Sequence, residues 1–124
     1  MSDPAIISIN AVTLSTRDMR QAVRFYCALG FALDYGGEDA TCTSFRMGEQ
    51  HLNLVACAEH DPVPWWGRVI FYVTDVDAMY ERVRAHGISV LTTPRDAEWG
   101  ERYFHVRDPD AHELSFAKPI GKRE

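Results

Sequence analysis

The chain has 124 residues, 46% of them hydrophobic and 25% charged, with 18 acidic against 13 basic side chains for a formal net charge of −5. That composition excludes a disordered, collagen-like or coiled-coil chain, and the length fits one domain. The negative balance disfavours non-specific attraction to nucleic acid or to an anionic membrane, and suits a cationic ligand.

Cys27, Cys42 and Cys57 are an odd number without CxxC spacing, which fits free thiols in a reducing compartment. No apolar run approaches the roughly 18 residues that cross a bilayer, and Met1-Ser2-Asp3-Pro4 lacks a basic-then-apolar leader pattern. The expectation is a cytoplasmic protein with no membrane or nucleic-acid partner.

The apolar run Ile6 to Leu14 predicts a strand, and Asp18 is placed to cap the helix that follows. Met19, Ala22, Val23, Tyr26 and Leu29 recur at helical spacing, and Gly30 ends the helix Asp18 to Leu29. Strand-like runs follow at Ala32 to Tyr35, Thr41 to Met47 and His51 to Ala56. Residues 58–67 hold Pro62, Pro64, Trp65 and Trp66, a stiff linker that continues neither strand.

The pattern then repeats. Val69 to Val73 predicts a strand and Asp75 caps a helix running to His86, with Val76, Met79, Tyr80 and Val83 on one stripe. Gly87 stands at the same offset from Gly30 as Asp75 from Asp18. Ser89 to Thr92, Arg102 to Arg107 and His112 to Ala117 read as three more strands. The order β-α-β-β-β thus occurs twice, over residues 5–57 and 68–118. A module this small buries its own faces poorly, so the two are expected to pair into one α+β domain with a curved mixed sheet.

Strand alternation assigns Val12, Leu14, Leu52, Leu54, Val69, Phe71, Val73, Leu114 and Phe116 to the helix-covered face. Ala11, Thr13, His51, Asn53, Arg68, Ile70, Tyr72, Tyr103, His105, Glu113 and Ser115 then line the opposite, concave face, and such a mixture of polar groups and flat rings suits a ligand pocket. Trp66 and Trp99 fall in bordering loops, where they serve either to stack on a ligand or to cap the cup and join two chains. Arg68 is either an ion-pair partner for Glu113 or Glu98 or an anion binder. The candidate ligand-binding residues are Asn53, Trp66, Arg68, Tyr72, Trp99, Tyr103, His105 and Glu113. No nucleophile is evident: Ser115 lies in a strand rather than a GxSxG elbow, and the cysteines have no positioned histidine nearby in sequence.

Phe25-Tyr26 and Leu29-Gly30-Phe31 in the first helix, Val73-Thr74-Asp75 at the start of the second, and Asp108-Pro109-Asp110 before the last strand are ordered alike in both halves. Over Ile9 to Pro119 the chain resembles the vicinal-oxygen-chelate superfamily of glyoxalases, bleomycin-resistance proteins and dioxygenases. Trp99-Gly100, Arg102, Phe104, Val106 and Asp108-Pro109 are most similar to the bleomycin-resistance proteins. Ala111-His112 stand where Gly-Asn is common in the family, which is expected to alter the turn because Ala tolerates positive φ poorly.

The resemblance implies four chelating positions, which fall here on Ala11, Asn53, Arg68 and Ser115. Methyl, amide, guanidinium and hydroxyl hold no divalent ion, so neither a metal nor another cofactor is expected. A rival arrangement would place His51, His105 and Glu113 around a relocated metal. The resemblance further implies a metal-free protein that sequesters a small organic molecule, such as a natural-product antibiotic, in crevices of a homodimer, with the arm Met1 to Pro4 crossing to the partner. The alternative is a lyase, dioxygenase or isomerase using a relocated metal or acid–base catalysis by His105 and Glu113.

Overall fold

A computed structural model describes residues 4–62 and 65–121. Met1 to Asp3 of the expected arm and Val63-Pro64 of the expected linker lie outside the described residues. The first module holds β1 (Ala11–Thr16), α1 (Met19–Ala28), β2 (Ala32–Tyr35), β3 (Cys42–Met47) and β4 (Gln50–Ala56). The second holds β5 (Arg68–Tyr72), α2 (Val76–Ala85), β6 (Arg95–Asp96), β7 (Glu101–Arg107) and β8 (Glu113–Pro119).

Both helices begin as their sequences dictate. Asp18 accepts from the Gln21 amide at 3.1 Å and Asp75 from the Ala78 amide at 3.0 Å, each satisfying a donor that the first turn leaves free. Gly30 leaves α1 at φ 98°, and Arg82 of α2 crosses over to donate to the Leu29 carbonyl at 3.2 Å.

The strands depart from expectation in two places. Residues 6–10 are not in the sheet, and β1 starts at Ala11. Ser89 to Thr92 do not form a strand: Val90 makes one isolated bridge to Val106, and the amides of Leu91 and Thr92 both turn to the His105 carbonyl. The short edge strand of the second sheet is Arg95–Asp96 instead.

Within each module the first strand pairs in parallel with the last, giving the orders β1-β4-β3-β2 and β5-β8-β7-β6. The mixed sheet is therefore two four-stranded sheets of matching topology. One hydrophobic cluster joins them, drawing Leu14, Phe45, Leu52 and Leu54 from the first sheet, Phe71, Phe104, Val106, Leu114 and Phe116 from the second, and the apolar stripes of α1 and α2. Phe31 bridges the modules, its ring 4.9 Å from Phe71 and 6.0 Å from Phe45. No helix among the described residues is long and apolar enough to cross a membrane.

A polar joint reinforces this core. The buried Tyr26 hydroxyl donates to Asp108 Oδ2 at 2.7 Å, while Asp108 Oδ1 accepts from the amides of Asp110 and His112, each at 2.9 Å. Burial pushes the Asp108 carboxyl above the ordinary carboxylate range, and these hydrogen bonds oppose that rise. Replacing Tyr26 by Phe leaves a buried carboxylate oxygen unmatched, at a cost of about 1–3 kcal/mol. The lost bond also raises the Asp108 carboxyl further, so the folded state binds its proton more tightly than the unfolded chain does. The penalty is thus full above that raised value and shrinks as pH falls through it, which urea melts across a pH series will measure.

Ala111 adopts φ 70°, the one positive φ outside glycine among the described residues. The turn geometry usual for Gly is kept although Ala occupies it, so the backbone is strained there. Ala111→Gly is expected to stabilise the fold by about 0.5–1 kcal/mol, read as a rise of a few degrees in melting temperature.

Candidate functional site

Register decides which side chains share the outer face of the second sheet. Arg68 stands opposite Glu113, Ile70 opposite Ser115 and Tyr72 opposite Ala117; across β8, Glu113 meets Arg107, Ser115 meets His105 and Ala117 meets Tyr103. The middle strand thus carries small residues between rows of large ones. Ser115 and Ala117 form a floor with 2% and 1% exposure, while Ile70 and Tyr72 rise on one side with 55% and 64%. Tyr103 and His105 form the other side, and Trp99 stacks on Tyr103 with centroids 5.8 Å apart and planes at 27°. His105 continues the series at 5.0 Å from Tyr103.

Charge closes both ends of this trough. Arg68 Nε donates to Glu113 Oε2 at 2.6 Å, which settles the choice between Glu113 and Glu98 as its ion-pair partner. At the opposite end Glu101 accepts from Trp99 Nε1 at 3.0 Å and from the Tyr72 hydroxyl, and that second bond raises the phenol's pKa. Burial, then the nearby Arg68 charge, lowers the pKa of His105. Its Nδ1 is buried and has no hydrogen-bond partner among the described residues. A neutral imidazole with a free nitrogen is what this environment favours.

Beside the trough, between β1 and β5, lies a groove of about 430 Å³ lined by Ala11, His51, Gln50, Trp66, Arg68 and Ile70 among others. Arg68 and Ile70 belong to both features. Of the eight expected residues, Arg68, Tyr72, Trp99, Tyr103, His105 and Glu113 gather on or beside the outer face of the second sheet. Trp66 lines the groove and donates to His112 at 3.0 Å. Asn53 is not brought to this face: it stands on the first sheet, donating to Thr13 at 3.2 Å. Glu101 was missed by sequence reasoning, although its alternation with Tyr103 and His105 along β7 points to it.

The four chelating positions do not fit a metal. Ala11 offers no donor atom, Asn53 is bonded to Thr13, Ser115 is a buried neutral hydroxyl and Arg68 holds a positive charge against Glu113. The rival trio is also separated, since His51 faces Asp34 at 3.8 Å on the first sheet while His105 and Glu113 sit on the second. Among the described residues no three His, Cys, Asp or Glu side chains come together in a way that could hold an ion.

Residues 8–116 match the model of the Glyoxalase/Bleomycin resistance protein/Dioxygenase superfamily, and the chain belongs to that family. An uncharacterized protein of Mycolicibacterium smegmatis is 30% identical over 114 residues, covering 90% of this chain and 94% of its own length. Shorter matches reach uncharacterized proteins of Mycobacterium bovis and Mycobacterium tuberculosis, of whose length this chain spans about a third. Among solved structures, a bleomycin resistance determinant encoded on the transposon Tn5 superposes with TM-score 0.74 at 23% identity, covering 95% of this chain and 98% of that one. A lactoylglutathione lyase from Agrobacterium tumefaciens gives TM-score 0.74 at 21% identity, covering 92% and 95%. At these identities the two structures establish the fold and leave the activity open.

Arg68→Ala strands the Glu113 carboxylate, which is only 7% exposed, and is expected to cost about 1–3 kcal/mol in denaturant melts. Arg68 is itself partly exposed, which keeps the loss below that of a fully buried pair. The double change Arg68→Met, Glu113→Gln should recover most of it, since both charges then leave together.

Proposed function

We propose that the chain is a metal-free binding protein that holds a small organic molecule by stacking and charge, and that its ligand is a natural-product antibiotic or a relative of one. The observation that carries this reading is the donor set at the four chelating corners, where the only charged group is the Arg68 cation, already engaged by Glu113. A face that cannot chelate still recognises: Trp99 stacked on Tyr103, with the His105 ring tilted beside them, offers flat surfaces, and Glu101 and the Arg68–Glu113 pair fix polar ends. The fold shared with a bleomycin resistance determinant supports the ligand class by analogy.

The crevice of this proposal belongs to a homodimer. Ile70, Tyr72, Trp66 and Trp99 are large apolar or aromatic residues left exposed around the groove and trough, and a second copy would cover them. The two modules act in this reading as one domain.

A second reading is favoured by His105 alone. A half-buried imidazole with its Nδ1 buried, beside a carboxylate on the same face, is the equipment of an acid–base lyase or isomerase. Glu113 is bound to Arg68, however, and is poorly placed to exchange protons with a substrate.

A thermal-shift screen against bleomycin-like, mitomycin-like, peptide and aromatic natural products tests the proposal. A ligand at a hundred times its dissociation constant adds about 2.7 kcal/mol of stability, and Trp99→Ala is expected to remove most of that gain. A gain untouched by changes at Trp99, Tyr103 and Arg68 alike would move the site elsewhere. Stoichiometric iron, manganese, nickel or zinc that survives dialysis of the purified protein would favour the enzyme.

A further inference from the structure

Away from the aromatic face, two turns converge on the end of β1. Ser15 Oγ lies 2.5 Å from His60 Nδ1, and His60 Nε2 lies 3.0 Å from the carbonyl oxygen of Asp110. A carbonyl only accepts, so in the neutral imidazole Nε2 carries the proton and Nδ1 offers its lone pair to the serine hydroxyl. This is the geometry of an activated nucleophile: a hydroxyl, a base within hydrogen-bond reach, and a third group that fixes the base's tautomer. A backbone carbonyl stands here in the third position.

Both partners of the pair are held. The His60 amide bonds the Cys57 carbonyl at 3.1 Å, closing the turn after β4. Asp110 is anchored through its carboxylate, which accepts from the Arg17 amide at 3.0 Å and from Arg17 Nε at 3.3 Å. His112 completes the surroundings as a neutral imidazole: its Nε2 donates to the Ser15 carbonyl at 2.8 Å and its Nδ1 accepts from Trp66 at 3.0 Å. A recess of about 290 Å³ is lined by Thr13, Leu14, Ser15, His60, Trp66 and His112, room for a small acyl or phosphonyl group.

We propose that Ser15 and His60 form a nucleophile–base pair that takes up one acyl or phosphonyl group from a small activated ester or fluorophosphonate. With an ester, a bond forms from Ser15 Oγ to the carbonyl carbon and the bond from that carbon to the leaving oxygen breaks. The hydroxyl proton passes to His60 Nδ1 and from there to the departing oxygen. With a fluorophosphonate the new bond is to phosphorus, the phosphorus–fluorine bond breaks, and the proton departs with fluoride.

Labelling of the full chain with an alkyl fluorophosphonate, read by intact mass and peptide mapping, tests this. One adduct is expected on Ser15; Ser15→Ala should abolish it and His60→Gln should slow it at least tenfold, with melting temperatures reported for each variant. A second measurement does not depend on His60→Gln folding: in the Ser15→Cys variant iodoacetamide is expected to alkylate position 15 at least tenfold faster than the exposed Cys27, Cys42 and Cys57. No adduct on Ser15, an adduct formed equally fast in a folded His60→Gln variant, or alkylation at position 15 no faster than at the native cysteines would each overturn the proposal.

Discussion

The hydroxyl of Tyr26 reaching Asp108 is the contact on which the joint between the modules turns. A carboxylate 5% exposed is tolerated only when its oxygens are matched, and Asp108 meets that condition with one donor from α1 of the first module and two amides of its own turn. Once Asp108 is fixed, the rest of the turn is placed. Asp110 is delivered to Arg17, His112 to the Ser15 carbonyl and to Trp66, and the Asp110 carbonyl to His60. The strained φ of Ala111 belongs to the same device, since the turn must bring the His112 amide back to the Asp108 carboxylate.

Much of this fold is legible in the amino-acid sequence because local chemistry and global packing agree. An Asp whose carboxylate caps a first turn, an apolar stripe and a closing glycine define both helices to within a residue. The expected strand at Ser89 to Thr92 fails for a reason that propensity does not see: the amides of Leu91 and Thr92 share the carbonyl of His105, so the chain crosses the end of β7 rather than running beside it. Ile6, Ile7 and Ile9 mislead similarly. They are apolar yet exposed, because strand character needs a neighbour to pair with and hydropathy reports none.

The candidate site divides along the same line. Period-two alternation places Arg68, Tyr72, Tyr103, His105 and Glu113 on one face, since register follows once the inward residues are known. Asn53 obeys the same alternation but stands on the other sheet, a separation that no single-strand pattern encodes. Nor could sequence bring Ser15 to His60, which are 45 residues apart and meet only because the turn after β4 folds back over the end of β1.

Arg68 gives the outer face its chemical character. At one of the four positions where the resemblance implies a chelating group, a guanidinium both withholds a donor and adds a charge of the wrong sign for a metal ion; it also takes Glu113 into a 2.6 Å ion pair. A cation entering this site would have to break that pair and overcome the remaining positive charge. Beside that pair Ser115 and Ala117 keep the floor low, while Tyr72, Tyr103 and Trp99 stand as flat walls. The outer face therefore sets flat rings between two charged ends, Glu101 at one and the Arg68–Glu113 pair at the other.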